Sequence, residues 1–240
     1  MAAALQTDGI SIATASKVAG SLYVITMATS MIASIIYFQP LIVSGDAAAT
    51  AQNIMAHTTQ LRLGIVVMLL TTLAVIPLFW GLYVILRSYN RDLALLAVFF
   101  RLIETAMICG ALVNHLVSLR YLGDGKYLSV FDPAQLYTLS YISVATYGFG
   151  VYIGFVCLGF GSAIFAFLFY KSGYVPKYIG AFGIFASLLI ALSCVAYIVF
   201  PRLSLFVYPF SMVPMFFYEV CLGLWLWIKG VQIRPPVVQN

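Results

Sequence analysis

The chain has 240 residues, of which 63% are hydrophobic and 8% charged, and its mean hydropathy is +1.05. Soluble domains carry roughly 25% charged residues, so a water-soluble globule and a disordered chain are both excluded and a polytopic membrane protein is expected. The net charge of +5 comes from twelve Lys and Arg against seven Asp and Glu, placed singly rather than in runs, which leaves no basic footprint for nucleic acid.

A helix crosses the hydrocarbon core with about 20 apolar residues, and six runs qualify: residues 18–37, 63–86, 93–119, 144–170, 179–200 and 206–228. They are continuous and rich in Leu, Ala and Met, without the ten-residue alternation of barrel strands. The expected fold is therefore an all-α, polytopic membrane bundle of six transmembrane helices, a single integral membrane domain over residues 1–240. Ala47, Ala49 and Ala51 after the first run offer small-residue cleavage options. That run is too long and too weakly preceded by charge for a secretory peptide, so a retained helix is expected.

Charge placement orients the bundle. Lys17, Arg87, Arg91, Lys171, Lys177, Lys229 and Arg234 fall on one side of the spans, and Arg62, Arg120, Lys126 and Arg202 on the other. The positive-inside rule then puts both termini in the cytoplasm of a cell with this protein in its inner, or plasma, membrane. Trp225 and Trp227 beside Lys229 suit an interface anchor. The two long loops, 44–60 and 120–143, face outward and each holds a helix-start signal. Asp132 before Pro133 is an N-cap followed by proline at the first helical position, and Asp46 precedes an alanine-rich stretch. A pair of acids gathering cations outside is the alternative use of these two residues. Cys109, Cys157, Cys194 and Cys221 lie in apolar runs without CxxC spacing, so no disulfide, metal or other cofactor is expected.

Three ionisable side chains stand well inside spans: Arg101 and Glu104 in the third and Glu219 in the sixth. Each would cost about 2.5–3.5 kcal/mol at a helix centre, so each is expected to face the interior and to have a partner. At ~1.5 Å per residue, Arg101 lies ~13 Å and Glu104 ~18 Å beyond Asp92, and Glu219 lies ~15 Å from Lys229. Both counts start from the same face, so all three charges reach one level. Arg101 and Glu104, three residues apart, share a helix face, and Glu219 is placed to share the guanidinium.

Two uses of such a trio compete. One is a Glu-Arg-Glu clamp that fixes helix register and nothing else. The other follows from charge counting: two carboxylates around one arginine leave an excess negative charge in a low-dielectric site, and one carboxyl is expected to hold its proton near neutral pH. Such a group serves as a general acid, a proton carrier or a donor to a ligand.

His115 lies on the Glu104 stripe, ~16 Å further along by the helical rise. It is expected near the outer interface with Asn114, bonding water and headgroups, or else on a polar path toward the buried acid. Gly150, Gly154 and Gly161 give the fourth span a small-residue face for close helix approach. Pro209 and Pro214 precede Glu219 in a span where proline exposes a backbone carbonyl, and Tyr147, Tyr152 and Tyr218 are further polar handles. Of the tyrosines, Tyr218 adjoins Glu219 directly.

Several segments occur together in one order: Gly45-Asp46-Ala47-Ala48-Ala49-Thr50-Ala51 with Asn53-Ile54, Phe100-Arg101-Leu102-Ile103-Glu104, Phe131-Asp132-Pro133-Ala134-Gln135-Leu136, Tyr170-Lys171-Ser172-Gly173-Tyr174-Val175-Pro176, and Val213-Pro214 followed by Glu219 and 225–230. With them the chain resembles the bacterial membrane family catalogued as domain of unknown function 4386, from about residue 18 to 231. The resemblance implies a multi-pass membrane protein and brings no activity, substrate or cofactor. It also leads one to expect a histidine in the fourth span, where this sequence has Gly159-Phe160-Gly161-Ser162.

Three functions follow as alternatives. A pocket in the bundle would offer a protonated Glu104 or Glu219 to a lipophilic or small-molecule ligand, as acid-assisted chemistry requires. Proton-linked transport would use two halves of three spans each, every half ending in a glutamate-bearing helix, although the halves share no matching sequence. A structural or regulatory protein would use the charges for assembly alone. In every case the lipid bilayer is the first partner.

Overall fold

A computed structural model describes residues 10–200 and 204–232 of the protein, with residues 204–209 described by their backbone alone. Arg202 and Arg234 of the charge count, and the side chain of Pro209, lie outside the described residues. Among these residues every regular element is helical, and six helices are long and apolar enough to cross a bilayer.

The first span is α1, Ile12–Ile32, which runs on through a π turn, Ala33–Phe38, and a 3-10 turn, Gln39–Leu41. Pro40 explains why it stops there. Proline has no N–H for the carbonyl four residues back, and Gln60 Nε2 donates to that carbonyl, Ile36 O, at 2.9 Å. A short helix follows, α2, Ala47–Ala56. Gly45 turns the chain at φ +80, and Asp46 Oδ1 accepts from Ala49 N at 2.9 Å, the cap its place in the sequence predicts. The second span, α3, is Thr58–Leu86, and the third, α4, is Arg91–Tyr121, begun by Asn90 Oδ1 accepting from Leu93 N at 3.0 Å.

The fourth helix, α5, covers Pro133–Ser172. The start signal at Asp132-Pro133 and the apolar run expected from 144 are one uninterrupted 40-residue helix. Between them stand Tyr, Ser and Thr but neither Gly nor Pro, so nothing breaks the ladder. At the entry Asp132 N donates to Gln135 Oε1 at 3.0 Å. At the exit Gly173, at φ +67, donates its N–H to Phe169 O at 3.1 Å, the left-handed cap that glycine alone adopts without strain. Pro176 then precedes α6, Lys177–Val199, and the last span is α7, Ser204–Leu224, continued by a π turn, Trp225–Lys229.

Two compact units are distinguishable. Unit 1 draws on Met1–Ile25, Ala74–Ile103 and Phe155–Asn240, and unit 2 on Thr26–Leu73 and Glu104–Gly154. In unit 1, α6 and α7 pack along each other, and Ser16 Oγ ties α1 to Leu226 O at 2.9 Å. Unit 2 has a core of Phe38, Leu41, Ile54, Leu61, Ile65, Met68, Leu112 and Val144, with Ile54 bringing α2 into it. Large apolar residues such as Leu70, Leu192 and Phe217 are exposed. In a protein whose solvent is hydrocarbon, such faces need no water-compatible cover.

Candidate functional site

The polar centre of unit 1 is built around Arg101, which is 4% exposed. Its Nη1 donates to Ser162 Oγ on α5 at 2.9 Å, and its Nη2 lies 3.8 Å from Glu219 Oε1 on α7. The guanidinium carbon stands 4.6 Å from the centroid of the Phe79 ring on α3. Four helices thus converge on one side chain. A methyl group at position 161 would come within 2.9 Å of Arg101 Cγ and 3.0 Å of Ala97 O, so Gly161 is what lets α5 close on the arginine stem. Hydrogen bonds to charged groups contribute about 1.5–3 kcal/mol and a desolvated cation–π contact up to about 2 kcal/mol. These are of the size needed to hold an arginine at this depth.

Glu219 and Arg101 are thus brought together as their depths predict. Glu104, one turn beyond Arg101 on α4, is 6% exposed and belongs to unit 2. There it sits against α5, where a methyl at position 154 would meet Glu104 O at 3.5 Å. The small-residue face of α5 is turned to α4 within each unit: Gly150 to Ala111 and Gly154 to Met107 in unit 2, Gly161 to Ala97 in unit 1. Tyr218, 1% exposed, lies over Gly183 of α6, where any Cβ would enter its ring.

His115 is placed differently from its expected interfacial position. It is 1% exposed and stacked in unit 2 between Phe38, with ring centroids 4.5 Å apart, and Tyr147, at 4.4 Å. Among the described residues neither ring nitrogen has a hydrogen-bond partner. Helical rise along α4 carries no information on neighbours from other helices: the π turn that ends α1 carries Phe38 onto the imidazole. Asn114 spends its side-chain amide on its own helix, with Nδ2 donating to Ala111 O at 3.1 Å, while its backbone carbonyl accepts from Ser143 Oγ at 2.7 Å.

Two contributors to the centre were not legible beforehand. Phe79 is one phenylalanine among eighteen, and only the pairing of α3 with α4 singles it out. Ser162 stood in the segment where a histidine was expected, and it is that segment which meets Arg101, by its glycine and by its hydroxyl. The departure from the expected pattern therefore falls on the arginine's own partner.

The profile of the family described as Domain of unknown function (DUF4386) matches residues 18–230. The chain belongs to this family. It is also similar to an uncharacterized protein of Archaeoglobus fulgidus, 27% identical over 158 residues, which cover 65% of this chain and 77% of that protein. No solved structure matches the chain.

Proposed function

We propose that this DUF4386 protein binds a lipophilic or small ligand at a buried polar centre formed in unit 1 by Arg101 and Glu219, with Tyr218 beside it, and that Glu219 carries a proton to that ligand. The supporting observation is the asymmetry of the ion pair. The Glu219 side chain keeps 14% of its exposure and the Arg101 side chain 5%, at an N to O separation of 3.8 Å. Charge-assisted pairs close to about 2.7–2.9 Å when the partners are locked together. An architectural clamp gains most from such a short, fully satisfied geometry. A carboxylate held more loosely, and the more accessible of the two, is able to turn toward a ligand while the arginine stays seated on Ser162.

Glu219→Gln and Arg101→Gln, with Glu104→Gln of unit 2 as a comparison, assayed for folded yield in detergent and for co-purifying small molecules by mass spectrometry, test this. A Glu219→Gln variant that folds at wild-type yield and loses a ligand present in the wild type supports the proposal. Equal loss of yield in Glu219→Gln and Arg101→Gln, with no ligand in the wild type, reduces the pair to a clamp. The same reading places the protein in the cell membrane with both termini inside, on the asymmetry of basic residues between the two sides. Reporter fusions at either end, active only on one side of the membrane, check it.

A further inference from the structure

Where α3 ends and α4 begins, unit 1 carries a cavity of about 480 Å³ at the start of α1. Ile10, Ile12 and Val84 form its apolar part; Tyr83, Arg87, Ser88 and Arg91 supply hydroxyls and two guanidinium groups. Leu86 is the last residue of one span and Arg91 the first of the next, so the cavity opens at a membrane–water boundary, the level at which headgroups lie. Among the described residues neither arginine has an ion-pair partner. Asp92, beside Arg91 in the first turn of α4, is the nearest acid in that stretch of sequence. Ser88 Oγ is fixed by Ile85 O and Tyr174 OH, both at 3.2 Å.

We infer that this cavity is a binding site for the phosphate headgroup of an anionic phospholipid, held by Arg87 and Arg91 with its glycerol and upper acyl carbons against Ile10, Ile12 and Val84. Guanidinium forks match phosphate oxygens two at a time, which an ammonium does not. Basic pockets between transmembrane helices are where membrane proteins take up such headgroups. A free phosphate would use the two arginines but would leave the isoleucines and Val84 unemployed. The apolar wall, together with the position at the boundary, selects a lipid. The volume lies within the range of sites that enclose a small ligand.

The test is lipid binding to the full chain in detergent, read by native mass spectrometry with phosphatidylglycerol or phosphatidylcholine added. Each basic group near a membrane surface contributes about 1 kcal/mol toward an anionic lipid, so two predict a preference of about thirtyfold for phosphatidylglycerol. Arg87→Gln with Arg91→Gln is expected to lose that preference. Lys171→Gln with Lys177→Gln, a basic pair at another helix turn and outside this cavity's lining, is expected to keep it. If the double arginine variant does not fold, Arg91→Gln alone, at an exposed helix start, is expected to lose about fivefold. Wild type without a preference, or a folded arginine variant that retains it in full, overturns the assignment. Inorganic phosphate that displaces the lipid at equal concentration also overturns it, because the site then reads a soluble anion.

Discussion

The seat of Tyr218 on Gly183 permits a test whose sign depends on the tertiary contact alone. Gly183 lies inside α6, where alanine is intrinsically better than glycine by about 1 kcal/mol. In this fold the added methyl would lie 2.7 Å from Tyr218 Cδ2, with two other ring atoms nearer still. Carbons settle at about 3.5–4.0 Å, so the ring must withdraw by more than about 1 Å. With Tyr218 only 1% exposed, it has no slack to do so. Overpacking of this kind costs about 1–3 kcal/mol. Gly183→Ala is therefore expected to lower the unfolding midpoint in detergent by about 2–12 °C, at 2–4 °C per kcal/mol for a chain of this size. In a Tyr218→Ala background the ring is gone and the helix preference remains, so the same substitution becomes stabilising by up to about 1 kcal/mol. The two effects differ by about 1–4 kcal/mol as a coupling energy between the sites. Thermal or SDS-driven unfolding of the four proteins measures it. Equal effects of Gly183→Ala in the two backgrounds would refute the contact and, with it, the seating of the residue next to Glu219.

Three further outcomes are expected. Ser162→Ala removes the neutral acceptor of Arg101 and should destabilise by about 1–3 kcal/mol, a loss that should shrink in an Arg101→Met background if the hydrogen bond is its source. Breaking the ion pair from one side, by Glu219→Leu or Arg101→Met, should cost about 3–5 kcal/mol, whereas the double variant should recover much of that, because an apolar pair of similar volume needs no compensation; strictly additive unfolding free energies would contradict the pairing. His115→Phe should be tolerated within about 1.5 kcal/mol, because the ring keeps its stack and gives up no hydrogen bond among the described residues, while His115→Ala should cost about 3 kcal/mol or more. A large loss in the phenylalanine variant would show the nitrogens to be engaged.

Much of the molecule is decided by composition and run length. Six apolar stretches with few charges have one stable form in hydrocarbon, the helix, because each backbone group must be bonded within its own segment. The cap at Asp46, the start at Pro133, the turn at Gly173 and the stop at Pro40 are equally local, since each depends on what one residue's backbone or short side chain does to its neighbours. Even the common depth of Arg101 and Glu219 is legible, because rise per residue is fixed and both counts begin at helix ends. What a count along one helix does not contain is which neighbour it faces. Only the packed helices put Ser162 and Phe79 on Arg101, seat Tyr218 over Gly183, and fold the end of α1 so that Phe38 covers His115. These contacts join residues far apart in sequence, and they arise from the shapes of facing helix surfaces, which carry no period or motif that a single chain reveals.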